Sequence, residues 1–98
     1  MKNILFTLAL LVSFSSFGQT AKEYSQSGYG KSQNGDYKGA ISDYNKAIEL
    51  DPNYTSAYVN RGIAKELRGD MSGACADWKK AANLGHTDAA KWAANQCN

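Results

Sequence analysis

Between Cys75 and Cys97 the chain reads CADWKKAANLGHTDAAKWAANQC, a stretch that holds both cysteines, the single histidine and both tryptophans of the protein. Three chemistries use such residues. Thiolates and an imidazole can ligate a metal ion, two thiols can cycle as a redox pair, and two cysteines can close a structural disulfide. Zinc wants four ligands at short characteristic spacings, and no fourth ligand stands nearby with such spacing. Catalytic dithiols are typically a CxxC at a helix N-terminus, whereas 21 residues separate this pair. Which chemistry applies depends on the elements that carry the two thiols.

Those elements repeat. Ala21–Tyr54 laid over Thr55–Asp88 pairs Tyr24 with Tyr58, Gly28 with Gly62, Lys31 with Lys65, Gly35-Asp36 with Gly69-Asp70, Gly39-Ala40 with Gly73-Ala74, Asp43 with Asp77, Lys46-Ala47 with Lys80-Ala81, and Leu50 with Leu84. Eleven of 34 positions are identical without a gap. A fixed period of this size signals stacked supersecondary units. Each unit reads as two helices: Ala21–Asn34 then Tyr37–Leu50, and Thr55–Arg68 then Met71–Leu84. Glycine permits the left-handed end of a helix, and the following Asp caps the next one. Ala40, Ile41, Tyr44, Ala47 and Ile48 recur at spacings of three and four, the apolar face of an α-helix. Asp51-Pro52 stops that helix, because proline lacks a donor and disfavours the helical state before it.

With position 1 at Ala21, the spaced residues Tyr24, Gly28, Gly35-Asp36-Tyr37, Ala40, Tyr44, Ala47 and Pro52, and in the second unit Tyr58, Gly62, Gly69-Asp70, Ala74, Trp78 and Ala81, closely resemble the tetratricopeptide repeat. The resemblance implies an all-α fold: a short α-solenoid of two antiparallel helix pairs, repeat 1 over 21–54 and repeat 2 over 55–88. A C-terminal capping helix over 89–98 follows, with Trp92 at position 4. KKAANLGHTDAAKWA is similar to the helix junction of Sel1-like repeats, which place Gly-His-x-x-Ala there. Position 7 departs from the family's leucine (Ser27, Arg61), and position 11 from its tyrosine (Lys31, Lys65). Each change is expected to remove apolar area from a small core.

The first residues follow another logic. Met1-Lys2-Asn3 is a short positive start, ILFTLALLV a nine-residue apolar block, and SFSSFG a small, polar end with Ser16 and Gly18 suited to cleavage before Gln19. This is the layout of a signal peptide over 1–18, too short to span a membrane as a helix. The expected mature domain is 19–98, secreted or periplasmic, with no membrane span after cleavage and in a compartment that permits disulfides. A domain of this size gains from a staple.

The helix pair now bears on the cysteines. Cys75 and Cys97 are each eleven residues from His86, so both lie about 16 Å from the turn at equal height. The alanines at 81, 82, 89, 90, 93 and 94 are expected to line the interface and bring the two axes close. A disulfide between Cys75 and Cys97 is feasible, whereas His86 is too far from either sulfur to share an ion and is expected to cap a helix C-terminus in water. Two free thiols and a redox pair remain as alternatives.

No catalytic constellation is expected. The histidine has no nucleophile fixed beside it by spacing, and Asp36, Asp43, Asp70 and Asp77 recur with the repeat as caps and solvated faces. Net charge is +2 with both signs interleaved, which gives no footprint for nucleic acid. No enzyme, cofactor or metal is expected. The family resemblance instead implies a module that binds a protein or peptide on the concave face of its first helices. Its positions fall on Lys22, Gln26, Tyr29 and Gln33, then Val59, Asn60, Ile63, Glu66 and Leu67, with an apolar stripe of Val59, Ile63 and Leu67. That stripe is alternatively cover for the capping helix. The family's clamp for a C-terminal carboxylate is not expected, since only Asn60 matches and Ser25, Tyr29, Ala90 and Ala94 occupy the other places. A solenoid this short is also a candidate for self-association, and a thiol-redox protein is the third reading.

Overall fold

The computed structural model describes residues 19–97; the segment read as a signal peptide, 1–18, lies outside the described residues, as does Asn98. The described residues form α1 (Ala21–Gln33), α2 (Tyr37–Leu50), α3 (Thr55–Leu67), α4 (Met71–Asn83) and α5 (Thr87–Gln96), with no strand among them. Consecutive helices pack on one another and α1 also touches α3, the arrangement of a short helical solenoid.

The local signals act where the repeat places them. Asp36 and Asp70 are N-caps, each accepting from the backbone N–H three residues on, at Gly39 and Gly73, over 2.9 Å. Thr20 and Glu23 close a reciprocal capping box at the start of α1. Gly35, Gly69 and Gly85 carry φ of 83°, 87° and 103°, the left-handed turn that any side chain would strain. The last helix departs from expectation: it spans Thr87–Gln96 rather than starting at residue 89. The reason is His86, whose Nδ1 accepts from the Ala89 N–H at 3.0 Å. His86 is therefore the half-buried N-cap of α5, and not the solvated C-terminal cap of α4, a place taken by Leu84.

Small residues set how closely the helices cross. A Cβ at Gly28 would stand 2.9 Å from a Tyr44 ring carbon and 3.1 Å from the Ala40 carbonyl oxygen. A Cβ at Gly62 would stand 2.5 Å from Trp78 Nε1 and 3.3 Å from the Ala74 carbonyl oxygen. Tyr44 and Trp78 are the largest fully buried side chains, held by alanines at 40, 47, 74 and 81 with no exposure. Around them lie two apolar clusters, one between α2 and α3 and one between α3, α4 and α5. The Trp78 N–H is buried without a hydrogen-bond partner among the described residues.

Positions 7, 11 and 23 of each repeat also meet, which revises two expectations. Asp77 is only 3 % exposed. It receives Arg61 through Nε (2.9 Å) and a second guanidinium nitrogen (2.6 Å), and Lys65 at 3.1 Å. Arg61 also donates to Asn45 at 2.8 Å. In repeat 1, Ser27 donates to Asp43 at 2.6 Å, and Lys31 pairs with Asp43 at 3.1 Å. Asp43 and Asp77 are thus clamps between the two helices of a repeat rather than solvated residues. The departures at positions 7 and 11 replace apolar packing with matched charge instead of simply losing it.

Two measurements follow from this packing. In urea unfolding, Gly62→Ala should cost about 1–3 kcal/mol by forcing a buried ring to shift, while Gly30→Ala, where an added methyl meets nothing within 4 Å, should gain up to about 1 kcal/mol. Asp77→Ala should cost up to about 3 kcal/mol because it leaves two half-buried cations without their buried anion. Arg61→Leu combined with Asp77→Ala should cost less than the sum of the two single changes.

Candidate functional site

The face shared by α1, α3 and α5 carries two hollows. The first, about 310 Å³, has walls from Tyr29, Ser32 and Gln33 of α1, Tyr37 and Tyr44 of α2, and Asn60, Ile63 and Leu67 of α3. The second, about 280 Å³, is lined by Ile63 and Glu66 of α3, Trp78 of α4, and Trp92 and Gln96 of α5. Ile63 belongs to both, so the hollows adjoin across one side chain.

Helical spacing explains the grouping. Tyr29 and Gln33 are one turn apart on α1, and Gln33 Nε2 donates to the Tyr29 hydroxyl at 2.7 Å. Asn60, Ile63 and Leu67 follow at three and four on α3. Tyr29 and Leu67 are 53 % and 54 % exposed, a large apolar area left open to water on both sides of the first hollow. At its base Tyr44 is buried, and burial, with lesser contributions from Tyr29 and Asp43, pushes its phenol up to about 12. Its hydroxyl is therefore neutral across the physiological range.

The structure brings Tyr29, Gln33, Asn60, Ile63 and Leu67 together in the first hollow, and Glu66 with Ile63 in the second. Lys22 and Gln26 are exposed on the first two turns of α1 and line neither hollow. Val59 is a correction. At 7 % exposure it belongs to the core with Trp78, Ala81 and Ala89, because α5 covers this end of the stripe. The apolar stripe is graded along α3: Val59 is covered, Ile63 half-covered and Leu67 open. Trp78 and Trp92 enter the second wall although repeat position alone marks them as packing residues. The signal that would have found them is their placement on either side of the α4–α5 turn, where the two rings meet.

The tryptophan wall is held by the cysteine pair. Cys75 and Cys97 are joined, with Cα atoms 5.7 Å apart, and this ties the end of α5 to α4. Trp92 meets Trp78 edge-on at 5.5 Å, and the His86 ring lies 6.1 Å from Trp92. Of the interface alanines, those at 81 and 89 are buried and those at 82 and 93 half-buried, while Ala90 and Ala94 face water. Among the described residues no three His, Cys, Asp or Glu side chains converge as a metal site, and no helix is long and apolar enough to cross a membrane.

Residues 31–69 match a family model described as TPR repeat. The matched stretch runs from the last turn of α1 through α2 and α3 to the turn at Gly69, and so contains the contact between the two repeats. The search of curated proteins found no match to the chain.

Protein isolated without reductant should weigh two hydrogens less than the dithiol form; two alkylatable thiols in that sample would contradict the bridge. Replacing both cysteines by serine should cost about 3 kcal/mol in the chain-entropy model. Hydrogen exchange should then quicken first in α5, the element that the bridge fastens.

Proposed function

We propose that this chain is a non-enzymatic TPR-type interaction module that binds a polypeptide segment on the face formed by α1, α3 and α5. The observation that carries the reading is the open aromatic hollow bounded by Tyr29, Ile63 and Leu67, on the face where the repeat resemblance places ligand contact. TPR repeats generally mediate protein–protein interaction, and the family match supports this class. An extended segment or an amphipathic helix would seat apolar side chains there, while Gln33, Asn60 and Ser32 offer hydrogen bonds to its backbone.

We further propose that the protein works outside the cytoplasm, secreted or periplasmic, after cleavage following Gly18. The leader-like sequence of residues 1–18 supports this. A closed disulfide also suits an oxidising compartment. The Gly85-His86-x-x-Ala89 junction fits a Sel1-like ending physically: the glycine turns, the histidine caps, and the alanine is fully buried.

The oxidised mature domain should select peptides from a random displayed library. Leu67→Asp should weaken the selected peptides by about ten-fold or more, as expected when an apolar contact is replaced by a charge. Leu50→Asp, at an equally exposed leucine on α2 outside both hollows, should leave them unchanged. The reverse pattern would move the binding surface elsewhere. Sizing over a range of concentrations separates this reading from self-stacking, which requires oligomers that grow with concentration.

A further inference from the structure

We propose that the hollow between α3, α4 and α5 receives the positively charged side chain, Lys or Arg, of an extended peptide lying along the concave face. This rests on the peptide-binding reading above and adds the charge and spacing of the partner. Of the residues that line the two hollows, Glu66 alone is charged. It takes part in none of the salt bridges among the described residues. The cations of α3 itself are committed elsewhere: Arg61 and Lys65 are both held by Asp77. The hollow therefore presents one solvent-exposed carboxylate that has no ion-pair partner among the described residues.

Its remaining walls suit a cation. Trp92 is half-buried and stands edge-on to Trp78, with ring centroids 5.5 Å apart and an interplanar angle of 62°. Indole is the strongest aromatic partner of ammonium and guanidinium groups, and a carboxylate beside it adds a charge-assisted hydrogen bond. Gln96 supplies a neutral amide on the α5 side. The same preference is already satisfied within the fold, where Arg61 and Lys80 lie 5.6 Å and 5.9 Å from the centre of the Tyr58 ring. The volume of about 280 Å³ suits one long side chain rather than a second helix.

Ile63 sets the spacing. It walls both hollows, so a peptide that places its basic residue against Glu66 and Trp92 runs on towards Tyr29 and Leu67. In an extended chain the side chains on one face are two residues apart. The recognised segment is a basic residue with an apolar residue two positions away. Such a ligand has the opposite charge to a carboxylate-clamp ligand.

Both tryptophans of the chain line this hollow, so intrinsic fluorescence reports its occupancy. The probes are two capped peptides, Leu-Ser-Arg-Ser-Leu and Leu-Ser-Gln-Ser-Leu, titrated into the oxidised mature protein, with amide shifts of Tyr29 and Leu67 followed by NMR. The arginine peptide should bind about ten-fold more tightly, given a cation–π contact together with a charge-assisted hydrogen bond. Salt should narrow the gap, and Glu66→Gln should abolish it. Equal affinity for the two peptides, or a preference that survives Glu66→Gln, overturns the cation site while leaving peptide binding intact. If neither peptide shifts the Tyr29 and Leu67 amides, the underlying reading fails and the proposal with it. A concentration-dependent dimer that quenches the same fluorescence, and is lost in Glu66→Gln, assigns the hollow to a second copy and also overturns the proposal.

Discussion

The structure depends on a ring resting directly on backbone. In each repeat a glycine at the eighth position lets an aromatic of the second helix approach where any side chain would collide: Tyr44 against Gly28, and Trp78 against Gly62. This approach fixes how the two helices of a repeat cross. It also fixes what the next helix meets, because Trp78 presents its edge to Trp92. The floor of the second hollow is therefore a packing residue, and the site cannot be changed there without disturbing the core.

A polar device works alongside this contact. Lysine on the first helix and aspartate on the second form the same pair in both repeats, reinforced by Ser27 in one and by Arg61 in the other. A leucine pair would bury apolar area with no dependence on angle, whereas a bidentate guanidinium–carboxylate contact tolerates little rotation. Buried ion pairs add little net stability over well-packed apolar groups, yet losing one partner is costly. The clamp is thus better understood as a register lock between helices than as a source of stability.

The last helix has a different role from the others. Among its described residues α5 buries only Ala89 fully, so packing alone holds it weakly. Its N-terminus is fixed by the His86 cap and its C-terminus by the Cys75–Cys97 bridge. Between these two fastenings it carries Trp92 and Gln96, half of the wall around Glu66. The residues that first suggested a metal or redox centre serve to keep that wall in place.

Much of this was legible in the sequence, for a definite reason. Helix boundaries, caps, left-handed glycines and the level position of the two cysteines are properties of spacing along one chain, and the 34-residue period states them twice. Tyr29, Gln33, Asn60, Ile63 and Leu67 were recognisable because residues one turn apart share a face whatever packs behind it. Tertiary structure decided the rest. Whether Val59 is groove or core depends on where α5 lies over α3. Whether Asp77 is solvated depends on Arg61 and Lys65 reaching it from another helix. His86 is an N-cap because the chain reverses at Gly85 one residue before it. The His86 cap is a local contact, to an N–H three residues on, but the Val59 and Asp77 cases are contacts between segments that local pattern treats as independent, and burial and charge pairing exist only once the segments have been brought together.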